Sequence, residues 1–199
     1  MTAAREPQQD RSRATRERLL AAAVDLLATR GWTATTVAKV AEEAHVSRGA
    51  AQHHFPTREA LFTAVVEQMY ETMIDDAVRS IPETLTGSER IAAVVDQAVG
   101  IYTGAPFKAA LQVWTAAASD ETLAAVIRPL EGKLGRAAHK FVVAGLDPDG
   151  TRPETRRLAQ ITLDLARGLG LADTLTDDSK RRAGVTEAWV EQLTAALGE

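Results

Sequence analysis

The sequence predicts an all-α chain, with an N-terminal three-helix unit built around a helix-turn-helix and a larger helical domain after it. Two observations carry that expectation. Apolar residues recur at spacings of three and four through nearly every segment, and none sustains the period-two alternation of a half-buried strand. The runs are separated by short breaks rich in Gly, Pro, Ser and Asp, such as Gly31, Phe55-Pro56-Thr57, Gly104-Ala105-Pro106 and Asp147-Pro148-Asp149-Gly150. Apolar residues make up 45% of the 199 positions, enough for a folded core.

Residues 1–12 are polar and read as a flexible arm. From about Arg13 the pattern turns helical, with Leu19, Leu20, Ala23, Val24 and Leu27 on one stripe. Gly31 stops this helix, and Arg30 sits in its last turn, where a cation suits the helix dipole. Thr35 or Thr36 can cap a short helix carrying Val37, Val40, Ala41 and Ala44. Ser47 caps a third through about His54, and Thr57 starts a long helix with Leu61, Phe62, Val65, Val66, Met69 and Met73, ending near Ser80. Further helices are expected near 88–103, 106–118, 120–144, 153–174 and 178–197, with Pro129 kinking or interrupting the 120–144 span. The domains expected are 13–57 and 58–199, joined by the long helix.

Composition narrows the function classes. Without cysteine there is no disulfide, thiolate metal site or cysteine nucleophile. No apolar run is long enough to cross a bilayer, and the first ten residues lack the apolar middle of a signal peptide, so a cytoplasmic protein with no membrane partner is expected. The net charge of −4 is unevenly spread: residues 1–60 hold nine basic against seven acidic side chains, the remainder fourteen against twenty. That permits contact with DNA through the first part only. No nucleophile elbow, P-loop, zinc-protease or dinucleotide motif is present; Gly168-Leu169-Gly170-Leu171 lies mid-helix with no strand before it. An enzyme is therefore not expected, and no catalytic residue, metal or cofactor is assigned. The neighbouring His53 and His54 point about 100° apart on a helix and lack a completing ligand. His139 is a solvated or core-edge histidine rather than a ligand contact, and Arg156-Arg157 and Lys180-Arg181-Arg182 are most simply solvated helix faces.

Thr35 to Phe55 is the informative stretch. Two short helices about three residues apart, followed by a long one, form the layout of a DNA-binding helix-turn-helix. Ala41 and Ala44 are small where helices must cross, Val46 can plug the turn, and Ser47 leaves the next helix's first N–H groups facing a phosphate.

Four segments in order, Thr15 to Ala23, Gly31 to Val37, Val40 to Gly49 and His53 to Leu61, resemble the DNA-binding domain of the tetracycline-repressor (TetR) family. The resemblance covers roughly the first third of the chain. It departs at His45, where the family usually has Gly in a left-handed position that His tolerates better than most residues. It departs again at Gln52 and His54, where the family favours Tyr.

The resemblance implies a homodimeric, ligand-responsive transcription regulator whose partners are double-stranded DNA, a small effector and a second copy of itself. It makes 47–54 the recognition helix, with Arg48, Gln52 and His53 at base edges or groove, and Thr36, Ser47, His54, Thr57 and Arg58 on phosphates. Thr35, Lys39, Gly49 and Ala50 complete the expected DNA surface, and Arg11 and Arg13 reach from the arm. Gln52 is chemically able to read adenine bidentately. Around an effector the resemblance places Phe107, Leu111, Val113, Trp114 and Phe141, with Tyr102, Gln112 and Thr115 as polar handles. Asp164 and Arg167 are pocket or rim residues, left open between the two. The dimer interface implied is Leu158, Ile161, Leu165, Gly168, Leu169 and Ala172 on one helix, and Val185, Trp189 and Leu193 on the next.

Overall fold

A computed structural model describes residues 6–82 and 84–197. Residues 1–5 of the expected arm lie outside the described residues, as does the side chain of Met73. Every regular element among the described residues is a helix: α1 Glu6–Ala34, α2 Val37–Glu43, α3 Arg48–His54, α4 Arg58–Ser80, α5 Gly87–Ile101, α6 Gly104–Ala117, α7 Glu121–Leu146, α8 Thr155–Ala172 and α9 Ser179–Leu197. Beyond the arm, the expected boundaries hold to within a few residues.

One boundary is corrected. Residues 6–12, read as flexible, are helical, and α1 starts at Glu6. Pro7 falls in the first turn, where its missing N–H costs nothing. Arg13 pairs with Asp10 at 3.5 Å and Glu17 at 3.9 Å, and Thr15 Oγ1 donates to the Arg11 carbonyl at 2.8 Å. Each such exposed pair contributes only a few tenths of a kcal/mol, roughly, but all favour the helix. Gly31 interrupts α1 at φ 75°, as its position in the pattern requires.

The described residues form two compact units. The first takes those up to 69 together with 108–128; the second takes 70–107 with 129 onward. In the first unit Leu19, Leu20 and Leu27 of α1, Val40 of α2, Ala51 of α3 and Leu61, Phe62, Val65 and Val66 of α4 are essentially inaccessible to solvent. Large apolar side chains of this kind contribute about 1.5–3 kcal/mol each when fully buried. Ala109, Ala110 and Val113 of α6 and Leu123, Ala124 and Ile127 of α7 are buried residues of the 108–128 segment.

In the second unit α5 packs against both α8 and α9, and α8 against α9. The α5–α8 approach is close enough that only glycine fits at 170. A Cβ there would overlap the Tyr102 carbonyl oxygen and lie 2.9 Å from Phe107 Cε1. Trp189 Nε1 donates to Thr162 Oγ1 at 3.0 Å, tying α9 to α8. Asp147, only 6% exposed, turns the chain into α8 by accepting from the Arg152 N–H at 2.8 Å and the Thr151 N–H at 3.2 Å.

Candidate nucleic-acid interface and effector residues

The two short helices are capped as their residues dictate. Thr36 adopts an extended backbone and its hydroxyl accepts from the Lys39 N–H at 3.3 Å; Ser47 does the same for the Ala50 N–H at 3.2 Å. Thr57 likewise accepts from the Ala60 N–H at 3.1 Å. A hydroxyl used this way still has its own proton to donate, so all three caps can also bind a phosphate oxygen. His45 has φ 52°, the left-handed turn expected from the family's glycine. The Val46 N–H then returns to the Ala41 carbonyl at 2.9 Å, closing the corner between α2 and α3.

On α3, Ala51 is buried, while Arg48, Gly49, Gln52 and His53 are exposed. At about 100° per residue these four span an arc of about 140° facing away from Ala51. The arc carries a guanidinium, an amide and an imidazole around a glycine with nothing within 4 Å of its Cβ position. Ala50 is half-buried beside it, and Lys39 on α2 is exposed, paired with Glu42 at 3.2 Å. Arg11 and Arg13 are exposed on the first turns of α1.

Two residues expected to contact DNA are engaged within the chain. Thr35 is 0% exposed; its hydroxyl donates to the Gly31 carbonyl at 2.8 Å and its N–H to the Trp32 carbonyl at 3.2 Å. Neither donor is left for a phosphate. Arg58 is turned inward: Nη2 donates to the Trp32 carbonyl, and the guanidinium lies 4.0 Å over the Trp32 ring and 5.4 Å from the Phe62 centroid. Trp32 and Phe62 themselves pack at 4.5 Å. Burial draws the Arg58 pKa down, opposed by Glu59. Sequence reasoning missed Trp32 because nothing local announces a partner 26 residues away. Its peptide is held at both ends, since its N–H also donates to Gln112 Oε1 at 3.4 Å.

His54 is half-buried against Phe55 at 6.2 Å, and its pKa falls below the usual 6.5, first through burial and then through His53 and Arg16. Because the folded pKa is the lower one, the unfolded chain binds the proton better. The stability from this site is full above about pH 6.5 and declines as pH falls through that value toward the folded pKa. Urea midpoints compared near pH 7.5 and about pH 5.5 should show that slope, and His54→Gln should flatten it; an equal slope in both proteins would refute it.

Of the expected effector residues, Tyr102, Phe107, Phe141 and Asp164 lie in the second unit. Tyr102 is 1% exposed and meets Phe107 edge-on at 5.5 Å. Its hydroxyl accepts from Arg167 Nη2 at 3.2 Å, and the same guanidinium lies 5.1 Å over its ring. Burial raises the Tyr102 pKa, with Arg167 pulling the other way. Arg167 in turn pairs with Asp164 at 3.2 Å and with Glu131 at 3.9 Å. Glu131 was not singled out in the sequence, where it is one carboxylate among many on a long helix. Phe141 is buried on α7. The others lie in the first unit. Leu111 and Trp114 are half-buried, Val113 is buried, Thr115 is exposed and donates to the Leu111 carbonyl at 2.8 Å, and Gln112 is engaged with Trp32.

Of the residues expected at a dimer interface, Leu169 and Leu193 are 3% and 0% exposed within the chain's own core. Ile161, Gly168 and Ala172 are exposed, and Leu158, Leu165, Val185 and Trp189 half-buried. No group of three or more metal-ligating side chains occurs, and no helix is long and apolar enough to cross a membrane, among the described residues.

The same layout recurs in known proteins. Residues 19–65 match the model of the bacterial regulatory proteins, tetR family. The HTH-type transcriptional regulator CymR of Pseudomonas putida is 31% identical over 123 residues, 62% of this chain and 61% of CymR. The HTH-type transcriptional regulator BetI of Rhizobium meliloti is 25% identical over 187 residues, covering 92% of this chain and 91% of BetI. A crystal structure of a transcriptional regulator from Rhodococcus shares the fold, with a TM-score of 0.69 at 24% identity over 90% of this chain and 94% of that one. By the match of its capped helix-turn-helix, the chain carries the DNA-binding region of the tetR family of bacterial regulatory proteins, and its helical fold as a whole is shared with that solved regulator.

Proposed function

We propose that this chain is a transcription regulator, most simply a repressor, that binds a near-palindromic operator as a homodimer and is released by a small, mainly apolar effector. The observation that carries the reading is the exposed arc of Arg48, Gly49, Gln52 and His53 on a helix whose N-terminus is capped by Ser47. Polar side chains at the start of a recognition helix meet base edges, while Thr36, Ser47 and Thr57 hold the backbone. Two such helices must sit about 34–36 Å apart to enter successive major grooves.

Residues 13–57 serve as the DNA-binding domain and 58–199 as the effector and dimerisation domain in this reading. The α8 face of Leu158, Ile161, Leu165, Gly168 and Ala172 is the surface offered to the second copy; Ile161 is 44% exposed in the single chain. Sizing of the dilute protein should give a dimer, and a monomer at all concentrations would remove this part. Residues 108–128 come from the proposed effector domain yet fall in the same compact unit as the helix-turn-helix, and Gln112 touches the Trp32 corner. A ligand that shifted this segment would need to favour one arrangement by only about 1–3 kcal/mol to matter.

Selection from a random DNA pool at moderate salt tests the reading. An enriched near-palindrome with half-sites one turn apart is expected. Binding without sequence preference, or none, would defeat it and favour a helical adaptor for proteins. Gln52→Ala should change the preferred base at one position of each half-site, with a discrimination loss of about 1–3 kcal/mol. An unaltered preference profile would defeat that assignment.

A further inference from the structure

One end of the second unit holds a cavity that shares no residue with the effector candidates or the α8 face. The start of α5, the end of α7 with the loop after it, and the last turns of α9 enclose about 660 Å³. That volume lies within the range of small-molecule sites. The floor is apolar: Ile91, Leu146 and Leu197 are 8%, 4% and 4% exposed.

The rim is cationic. Arg90 and Arg152 both line the cavity, both are half-buried, and neither forms an ion pair among the described residues. Arg90 is fixed by donating from Nε to the Gly145 carbonyl at 2.8 Å, which leaves its two terminal nitrogens for a ligand. Arg152 is fixed through its backbone, whose N–H is held by Asp147 Oδ2 at 2.8 Å. The Asp147 carboxylate is held by the loop and draws on the Arg152 charge from outside the lining, and no Asp or Glu among the described residues lines the cavity.

In a chain with 27 acidic side chains against 23 basic ones, a hollow lined by two arginines and no carboxylate among the described residues is a local reversal of charge. Partial burial raises the potential such groups create, and the planar guanidinium matches a carboxylate in two parallel bonds. The apolar floor supplies the other half of the recognition, since covering it removes hydrocarbon from water.

We propose that this cavity binds an amphipathic organic anion, a carboxylate on an apolar chain, with its head on Arg90 and Arg152 and its tail on Ile91, Leu146 and Leu197. The site is independent of the DNA-binding reading and is tested on the DNA-free protein.

Titration calorimetry of the full chain with decanoate, decanol and acetate separates the contributions. Decanoate should bind once per chain, decanol and acetate each at least about tenfold more weakly, because each lacks one of the two halves. Arg152→Gln should weaken decanoate about tenfold or more while leaving the unfolding midpoint nearly unchanged, since the loop is held by the backbone N–H at 152 and the variant keeps it. Ala195→Trp, at an exposed lining position, should block the cavity and abolish binding. Lys140→Gln, at an exposed cation outside the cavity lining, should bind as the parent does. The proposal is overturned if decanoate does not bind, if decanol binds as tightly, or if Arg152→Gln and Ala195→Trp leave its affinity unaltered.

Discussion

Gly170→Ala is expected to cost the second unit more than 3 kcal/mol, roughly, and to leave much of the protein unfolded at about 37 °C. The methyl group would fall on the Tyr102 carbonyl oxygen, 2.8 Å from the carbonyl carbon and 2.9 Å from Phe107 Cε1. Overpacking against a flexible side chain relaxes by a rotamer change, at about 1–3 kcal/mol. Here the obstacle is backbone at the end of α5, so relief requires α8 to move off α5 as a body. Such a shift would also strain the Tyr102–Phe107 contact and the bond from Arg167 to the Tyr102 hydroxyl. The comparison is Gly184→Ala in α9, where nothing lies within 4 Å of the added carbon. That change should stabilise by about 0.5–1 kcal/mol through helix propensity alone. Urea unfolding followed by circular dichroism reads both, and a Gly170→Ala protein as stable as its parent would contradict the packing described.

Arg58→Ala is expected to cost the first unit about 2–3 kcal/mol, by loss of a partly buried cation–π stack and a charged hydrogen bond. The informative variant is Arg58→Lys. An ammonium at this position keeps the charge that a phosphate contact would need, but it cannot lie flat on Trp32 while donating to the Trp32 carbonyl. If Arg58 serves the Trp32 corner, the Arg58→Lys variant should recover less than half of the lost stability, roughly, by urea unfolding. The salt dependence of DNA binding should then be the same for that variant as for the parent, because no phosphate contact has been removed. If Arg58→Lys retains full stability, and Arg58→Ala reduces the salt slope by about one, the side chain swings out to the backbone of DNA instead.

Much of the DNA-binding unit was legible in the chain because its signals are local. Caps at Thr36, Ser47 and Thr57 act over three residues, and the left-handed turn at His45 is set by its own backbone. Apolar stripes report which face is buried but not what covers it, so Leu169 and Leu193 read as interface and proved to be core. Thr35 and Arg58 were less legible for a related reason. A polar residue beside a recognition helix suggests a phosphate, and only the fold shows the Thr35 hydroxyl bonded to Gly31 and one Arg58 nitrogen bonded to Trp32. The arm misled because its ion pairs and Pro7 favour a helix that no apolar stripe advertises.

The all-helical class, the helices with most of their caps and breaks, and the family of the reading head could all be read from the chain alone, since each depends on neighbours within a turn or two. Other features emerge only in the packed fold. Residues 108–128 fall in one compact unit with the helix-turn-helix, Trp32 is clasped by Arg58 and Gln112, and Arg90 and Arg152 share one hollow. Those arrangements join residues 26 to 80 positions apart, and their energies come from desolvation and close packing, which exist only once the helices have met.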